Sequence, residues 1–163
     1  MPAASGTSVA DHGKAARWRR DAADDLLAAE PSNVRAKIEL AMTSLERGDI
    51  GGAEAALAKA AGEPEATRDV FFSMGEIKLA GNDATTAALW FEKASKADPF
   101  WAKPLVKLGE VAMKRGDSAE AARLLAAAKN AVEYAGGKNV PADSPSLKVI
   151  ADHIRATSFT ITD

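Results

Sequence analysis

Apolar residues recur at steps of three to four along most of the chain, in short blocks separated by polar or glycine-containing breaks. The two blocks on either side of Gly81-Asn82-Asp83 show the spacing best, with Phe71 and Met74 in the first and Ala87 and Phe91 in the second. This spacing places apolar side chains on one face of an α-helix. The pattern therefore predicts an all-α protein built from short amphipathic helices.

The pattern also repeats with a fixed period. The segment FFSMGEIKLAGND (71–83) is followed 34 residues later by LVKLGEVAMKRGD (105–117), and an aspartate recurs at the same phase as Asp49, Asp83 and Asp117. An array of small units that share a continuous core produces this kind of internal repetition. The sequence therefore predicts three units in phase, each made of two helices.

Local signals mark where these helices begin and end. Asp83 and Asp117 follow the breaks and are well placed as N-caps, and Glu120 stands three residues after Asp117, as in a capping box. Asp98-Pro99 is expected to end a helix, because the residue before proline is pushed out of the α region.

These residues carry a resemblance to a known family. The positions Phe71, Met74-Gly75, Lys78, Ala87, Phe91 and Pro99 resemble the tetratricopeptide repeat (TPR), at its expected length. Repeat 1 (34–67) is degenerate, whereas repeat 2 (68–101) and repeat 3 (102–135) follow the pattern more closely. The resemblance implies a right-handed superhelical solenoid of antiparallel helix pairs.

The flanks are expected to cover the ends of this solenoid, as solenoid ends require. An N-terminal capping helix is predicted over 14–31, after a flexible leader over 1–13. A loop insertion over 136–144 precedes a C-terminal capping helix over 145–157, and a tail covers 158–163.

Composition narrows the class of protein. Hydrophobic residues make up 47% of the chain and charged residues 27%, which is typical of a folded, soluble protein. A net charge of −2 argues against a nucleic-acid partner. No apolar run is long enough to predict membrane insertion, and no signal peptide is visible. A bacterial, cytoplasmic protein is favoured, and the periplasm remains open for a mature product or a fragment.

Catalytic chemistry is not predicted, nor is a metal or a cofactor. The two histidines, His12 and His153, have no partner at a suggestive spacing, and cysteine is absent. The acidic cluster at 21–25 does not match a calcium loop and is expected to be solvated. The segment 136–138 lacks the flanking residues of a phosphate loop. The chain is therefore not expected to be an enzyme.

The resemblance also implies a concave groove lined by the first helix of each pair. Its residues would be Arg35, Ile38, Glu39 and Met42 from repeat 1; Asp69, Phe72, Ser73, Glu76 and Leu79 from repeat 2; and Lys103, Val106, Lys107, Glu110 and Met113 from repeat 3. Because Phe71 supplies the core contact, Phe72 is expected to be an exposed aromatic residue that faces the groove. An apolar floor of this kind suits an amphipathic peptide or helix, unless a terminal segment of the chain itself covers it.

Lys103 and Lys107 match one side of the carboxylate clamp found in chaperone-binding members of the family. The other clamp positions hold Ile38, Met42 and Ser73, so a two-sided clamp is not expected.

Three functions remain open from the sequence. The first is a protein–protein interaction module that scaffolds a complex by holding a peptide or helix of a partner. The second is a homo-oligomer, in which one molecule fills the groove of the next. The third is an accessory region of a larger enzyme or of a membrane-anchored protein.

Overall fold

A computed structural model describes residues 9–64 and 66–134, and it divides the chain into two compact units after Ala66. The first unit contains α1 (Val9–Ala29), α2 (Val34–Glu46) and α3 (Ile50–Ala61). The second contains α4 (Arg68–Ala80), α5 (Ala84–Ala97), α6 (Ala102–Lys114) and α7 (Ser118–Tyr134). All regular structure in these ranges is helical, as the apolar spacing predicts.

The two helices of each pair are joined by a tight turn of constant form. The residue before the aspartate has a positive φ in all three turns: 76° at Gly48, 61° at Asn82 and 78° at Gly116. Glycine enters this left-handed region without a steric penalty, and asparagine is one of the few other residues that tolerates it. The turn therefore reverses the chain at the same position in each pair.

The aspartate that follows caps the next helix. Its carboxylate accepts a hydrogen bond from the backbone N–H three residues on, at 2.8 Å for Asp49, 3.0 Å for Asp83 and 3.0 Å for Asp117. This satisfies one of the donors that a helix N-terminus leaves free. The predicted N-caps at Asp83 and Asp117 are confirmed.

The capping box predicted at Glu120 does not form. Its carboxylate instead accepts hydrogen bonds from Arg123 Nε at 2.7 Å and from the Arg123 NH2 group at 2.5 Å. These hydrogen bonds hold the pKa of Glu120 below its usual value. A charge-assisted contact with a fork of donors competes well against one neutral backbone N–H, so Glu120 turns towards Arg123.

The second unit packs around a large aromatic side chain. Phe91 of α5 is fully buried, and its ring lies against the backbone of α4 at Gly75. Val70 and Ile77 of α4 are fully buried as well. The pair α6–α7 has its own apolar cluster, formed by Ala102, Val106, Leu125, Ala128 and Ala131. The core of this unit therefore combines small residues, which allow close helix approach, with a few large ones.

The first unit has a smaller core, in keeping with its degenerate repeat. Its buried side chains in α2 and α3 are mainly alanine, with Leu57 as the largest apolar one. Thr43 and Ser44 are buried too, and the Thr43 hydroxyl donates to the backbone carbonyl of Leu40 at 3.0 Å. This local bond satisfies the buried hydroxyl without help from another helix.

Helix α1 begins at Val9, earlier than the predicted start at residue 14, so residues 9–13 are helical rather than a flexible leader. Ala16 and Ala23 are buried, as their spacing suggests, but Leu26 stays 40% exposed. The predicted loop over 136–144, the capping helix over 145–157 and the tail over 158–163 lie outside the described residues.

Within residues 9–64 and 66–134, we find no helix whose length and apolar content would let it cross a bilayer.

Candidate functional site

The residues predicted to line the groove lie on α2 in the first unit and on α4 and α6 in the second. On α2, Arg35 is exposed, whereas Ile38, Glu39 and Met42 are half-buried. Arg35 and Glu39, together with Leu26 of α1, line a cavity of about 290 Å³ between α1 and α2.

In the second unit, the predicted residues divide into accessible and inaccessible ones. Asp69 and Lys103 are exposed, and Glu76, Leu79, Lys107, Glu110 and Met113 are half-buried. Ser73 and Val106 are only 5% and 4% exposed. Val106 belongs to the apolar cluster between α6 and α7, so its side chain serves packing and is not free for a ligand.

Phe72 is not the free aromatic residue that the sequence suggested. Its ring centroid lies 5.4 Å from that of Phe91 and 5.0 Å from that of Trp101, and the residue is half-buried. Phe71 stacks instead on Trp90, with ring centroids 6.1 Å apart. Both neighbouring phenylalanines therefore pack on aromatic partners within the second unit.

Arg68 packs beside these aromatic rings, and we call Arg68, Asp98 and Trp101 the aromatic corner. Arg68 was not singled out from the sequence. Its guanidinium carbon lies 4.5 Å from the ring centroid of Trp101, and the same side chain forms an ion pair with Asp98. A guanidinium over an indole face is a favourable cation–π arrangement. Arg68 contacts residues about 30 positions away in the chain, so no local pattern predicts its role. The one sequence signal for this site was the Asp98-Pro99 helix stop followed by Trp101.

Four charged residues of α4 and α6 lie near one another in the second unit. We call Glu76, Lys103, Lys107 and Glu110 the charged face. Lys107 Nζ lies 3.3 Å from Glu110 Oε2. Burial raises the pKa of Glu76, and Glu110 raises it further, against the opposing effect of Lys107 and Lys103. Glu76 forms no hydrogen bond or ion pair with any residue in the described part of the chain.

The raised pKa of Glu76 has a consequence for stability. Because the folded protein disfavours the ionised carboxylate more than the unfolded chain does, the contribution of Glu76 to folding worsens as pH rises through its folded pKa. Glu76→Gln should therefore raise the melting temperature at pH 7. The gain should shrink as pH falls towards 4.5 and vanish below it, where both states carry the proton. Thermal unfolding followed by circular dichroism at several pH values measures this.

Glu92→Gln on α5 is the matched control, because Glu92 is exposed and undergoes the same chemical change. It should alter the melting temperature much less. A Glu76→Gln variant that is destabilised at pH 7 would contradict the account of the charged face.

The described residues bring together no group of three histidine, aspartate or glutamate side chains that could hold a metal ion. His12 lies on α1 and is exposed, rather than in a flexible leader. Asp21, Asp24 and Asp25 are all exposed, as expected for a solvated face. His153 lies outside the described residues.

No protein-family model matches the chain. Among curated proteins, the alanine–tRNA ligases of Leptothrix cholodnii and Methylibium petroleiphilum are 80% and 72% identical to it over 40 residues. That match covers 24% of this chain, and the chain spans only 5% of the length of each ligase.

Solved structures match over nearly the whole chain. Two structures of MamA, a TPR-containing protein, superpose with TM-scores of 0.61 and 0.60 at 15% and 16% identity, over 94% and 93% of this chain and 96% and 92% of theirs. BtubC from P. vanneervenii gives a TM-score of 0.64 at 16% identity, over 97% of this chain and 68% of its own. At these identities the likeness concerns the fold alone, and it confirms an all-helical fold similar to that of MamA, a TPR-like solenoid.

Proposed function

We propose that this chain is a protein-binding module whose charged face, on α4 and α6, holds an amphipathic segment of a partner protein. The proposal rests on the burial of the Glu76 carboxylate and on the charged groups around it. This carboxylate is half-buried beside two lysines and has a raised pKa. It has no hydrogen-bonding partner among the residues that the structure describes.

Partial burial and the nearby Glu110 disfavour the charged form of Glu76, and Lys107 and Lys103 only partly offset this cost. The packing of the second unit does not need Glu76, because its core is formed by Phe91 and its apolar neighbours. A bound segment that donates an N–H or a cationic group to Glu76 would remove this cost. The charged face is thus better suited to a complex than to the free chain.

The partner's chemistry follows from the groups that surround Glu76. Lys103 is exposed and offers an ammonium group to an acidic side chain. Leu79 is half-buried and offers apolar surface on α4, and Met113 offers the part of its side chain that does not pack on the α6–α7 cluster. The best-matched partner is therefore a segment with an apolar side and both a donor and a carboxylate on its edge.

The test is a comparison of the proteins captured from an extract of the source organism. The full chain is compared with Lys103→Glu/Lys107→Glu, which reverses both lysines of the charged face, and with Lys96→Glu/Lys129→Glu, which makes the same change in charge at exposed positions on α5 and α7. We expect a captured protein, identified by mass, that is lost with the first variant and kept by the second. Equal capture by all three forms would place partner binding elsewhere.

Self-association is the outcome in which the captured segment belongs to a second copy of the chain. Analytical ultracentrifugation separates this case from binding to a foreign protein. A mass of 17.0 kDa at all concentrations would exclude it. A mass that rises with concentration in the parent chain, but not in Lys103→Glu/Lys107→Glu, would assign the charged face to contacts between copies.

A second function, that of an accessory segment of a larger enzyme, is favoured by one observation. This is the 40-residue match with the alanine–tRNA ligases. An antibody against the two described units, used on an extract of the source organism, distinguishes the two functions. A band of far larger mass than 17.0 kDa would support the accessory function, and a band at 17.0 kDa would count against it.

A further inference from the structure

The first unit contains an open cavity that the charged face does not involve. It has a volume of about 660 Å³ and lies where the N-terminal half of α1 passes the end of α2. Its charged and titratable lining residues are His12, Arg17, Arg19, Arg20, Glu46 and Arg47. Four arginines against one glutamate make this cavity strongly basic in a chain whose net charge is −2.

The ion pairs among residues 9–64 leave much of this positive charge without a neutralising partner. Arg19 is paired with Glu46 at 2.5 Å, which neutralises the one carboxylate of the lining. Arg20 lies 3.7 Å from Asp24. Arg17 and Arg47 are exposed, and neither forms an ion pair with a residue in the described part of the first unit.

The dimensions of the cavity indicate the size of the ligand. Its lining on α1 extends from His12 to Arg20, which at 1.5 Å per residue is a length of about 12 Å. An extended peptide advances about 3.3 Å per residue and points alternate side chains to one side. About four residues of such a peptide span the cavity, and two of their side chains can face it.

We propose that this cavity binds an acidic peptide segment of a partner protein, with carboxylates at alternate positions. Arginine guanidinium groups match carboxylates through paired N–H donors, which a lysine cannot offer. Arg17, on α1, and Arg47, at the end of α2, bind one carboxylate each. Neither arginine is among the groove positions that the TPR resemblance implies, and this site shares no residue with the charged face.

Fluorescence anisotropy of a labelled octapeptide of alternating serine and glutamate tests the proposal on the full chain, at about 50 mM salt to limit screening. We expect saturable binding that weakens at least about tenfold in Arg17→Glu/Arg47→Glu. The matched serine–glutamine peptide should not bind. Arg17→Gln/Arg47→Gln serves as a milder variant, and circular dichroism checks that both variants fold.

A charge-matched control variant makes the assignment specific. Lys96→Glu/Lys129→Glu produces the same change in net charge at exposed positions on α5 and α7, and it should leave peptide affinity unchanged. Loss of binding in this variant alone, or no binding of the glutamate peptide to the parent chain, would overturn the proposal. Millimolar inorganic phosphate should displace the peptide from the parent chain, whereas binding of phosphate without any binding of the peptide would overturn the peptide assignment.

Discussion

Replacing Phe91 by alanine should lower the free energy of unfolding by about 3–5 kcal/mol, the largest loss we expect from one substitution in the second unit. The Phe91 side chain is fully buried. Its ring packs on Phe72, with centroids 5.4 Å apart, and on the backbone at Gly75. Because Gly75 has no side chain, nothing on that wall of the resulting cavity can move in to fill it.

Urea unfolding measures this loss through the fluorescence of Trp90 and Trp101, which both contact the aromatic residues of the second unit. Phe100→Ala is the matched control, because Phe100 is 55% exposed and loses far less buried area. A similar loss in the two variants would show that Phe91 does not hold this core together.

The second large effect is expected from Gly75→Ala, which adds a methyl group where the structure has no room. A Cβ at this position would lie 2.5 Å, 2.6 Å and 2.9 Å from three carbons of the Phe91 ring. The buried ring cannot move away without disturbing the core. We expect a loss of about 1–3 kcal/mol in the free energy of unfolding. This is a net loss, although alanine is the better helix former by about 1 kcal/mol.

Gly51→Ala on α3 is a control with the opposite expected sign. Gly51 is exposed, and the nearest atom to its added Cβ would be Asp49 Oδ1 at 4.0 Å. This substitution should raise the free energy of unfolding by about 0.5–1 kcal/mol, because only the gain in helix propensity remains. Denaturant unfolding followed by far-ultraviolet circular dichroism measures both variants. Stabilisation by both substitutions would mean that α4 and α5 are less closely packed than the structure has them.

The sequence was sufficient for features that depend on neighbouring residues. The apolar spacing, the 34-residue period and the capping aspartates are all local signals, and the helices and N-caps that they predict are present. Asp83, for example, needs only the N–H of Thr86, three residues away, to act as a cap.

Features that depend on contacts between distant residues could not be predicted in this way. From the sequence, Phe72 is expected to be an exposed groove residue, but in the fold its ring packs against Trp101. No local pattern predicts that contact. The failed capping box has a local cause instead, because Arg123, three residues after Glu120, offers the carboxylate a stronger partner. The pKa of Glu76 depends on how deeply α4 and α6 bury it, which the spacing of charges does not reveal.

The aromatic corner formed by Arg68, Asp98 and Trp101 also bears on how such a chain can evolve. Each helix pair has its own turn and its own capping aspartate, so a 34-residue repeat can be duplicated or deleted as one unit. The corner does not share this period: one period earlier the three positions hold Val34, Pro64 and Thr67. Contacts of the aromatic corner therefore join the pair α4–α5 to the start of α6. A copy of another repeat in the place of α4–α5 would lack the residues that make these contacts. Shuffling of repeats should be tolerated less at this junction than the regular period alone suggests.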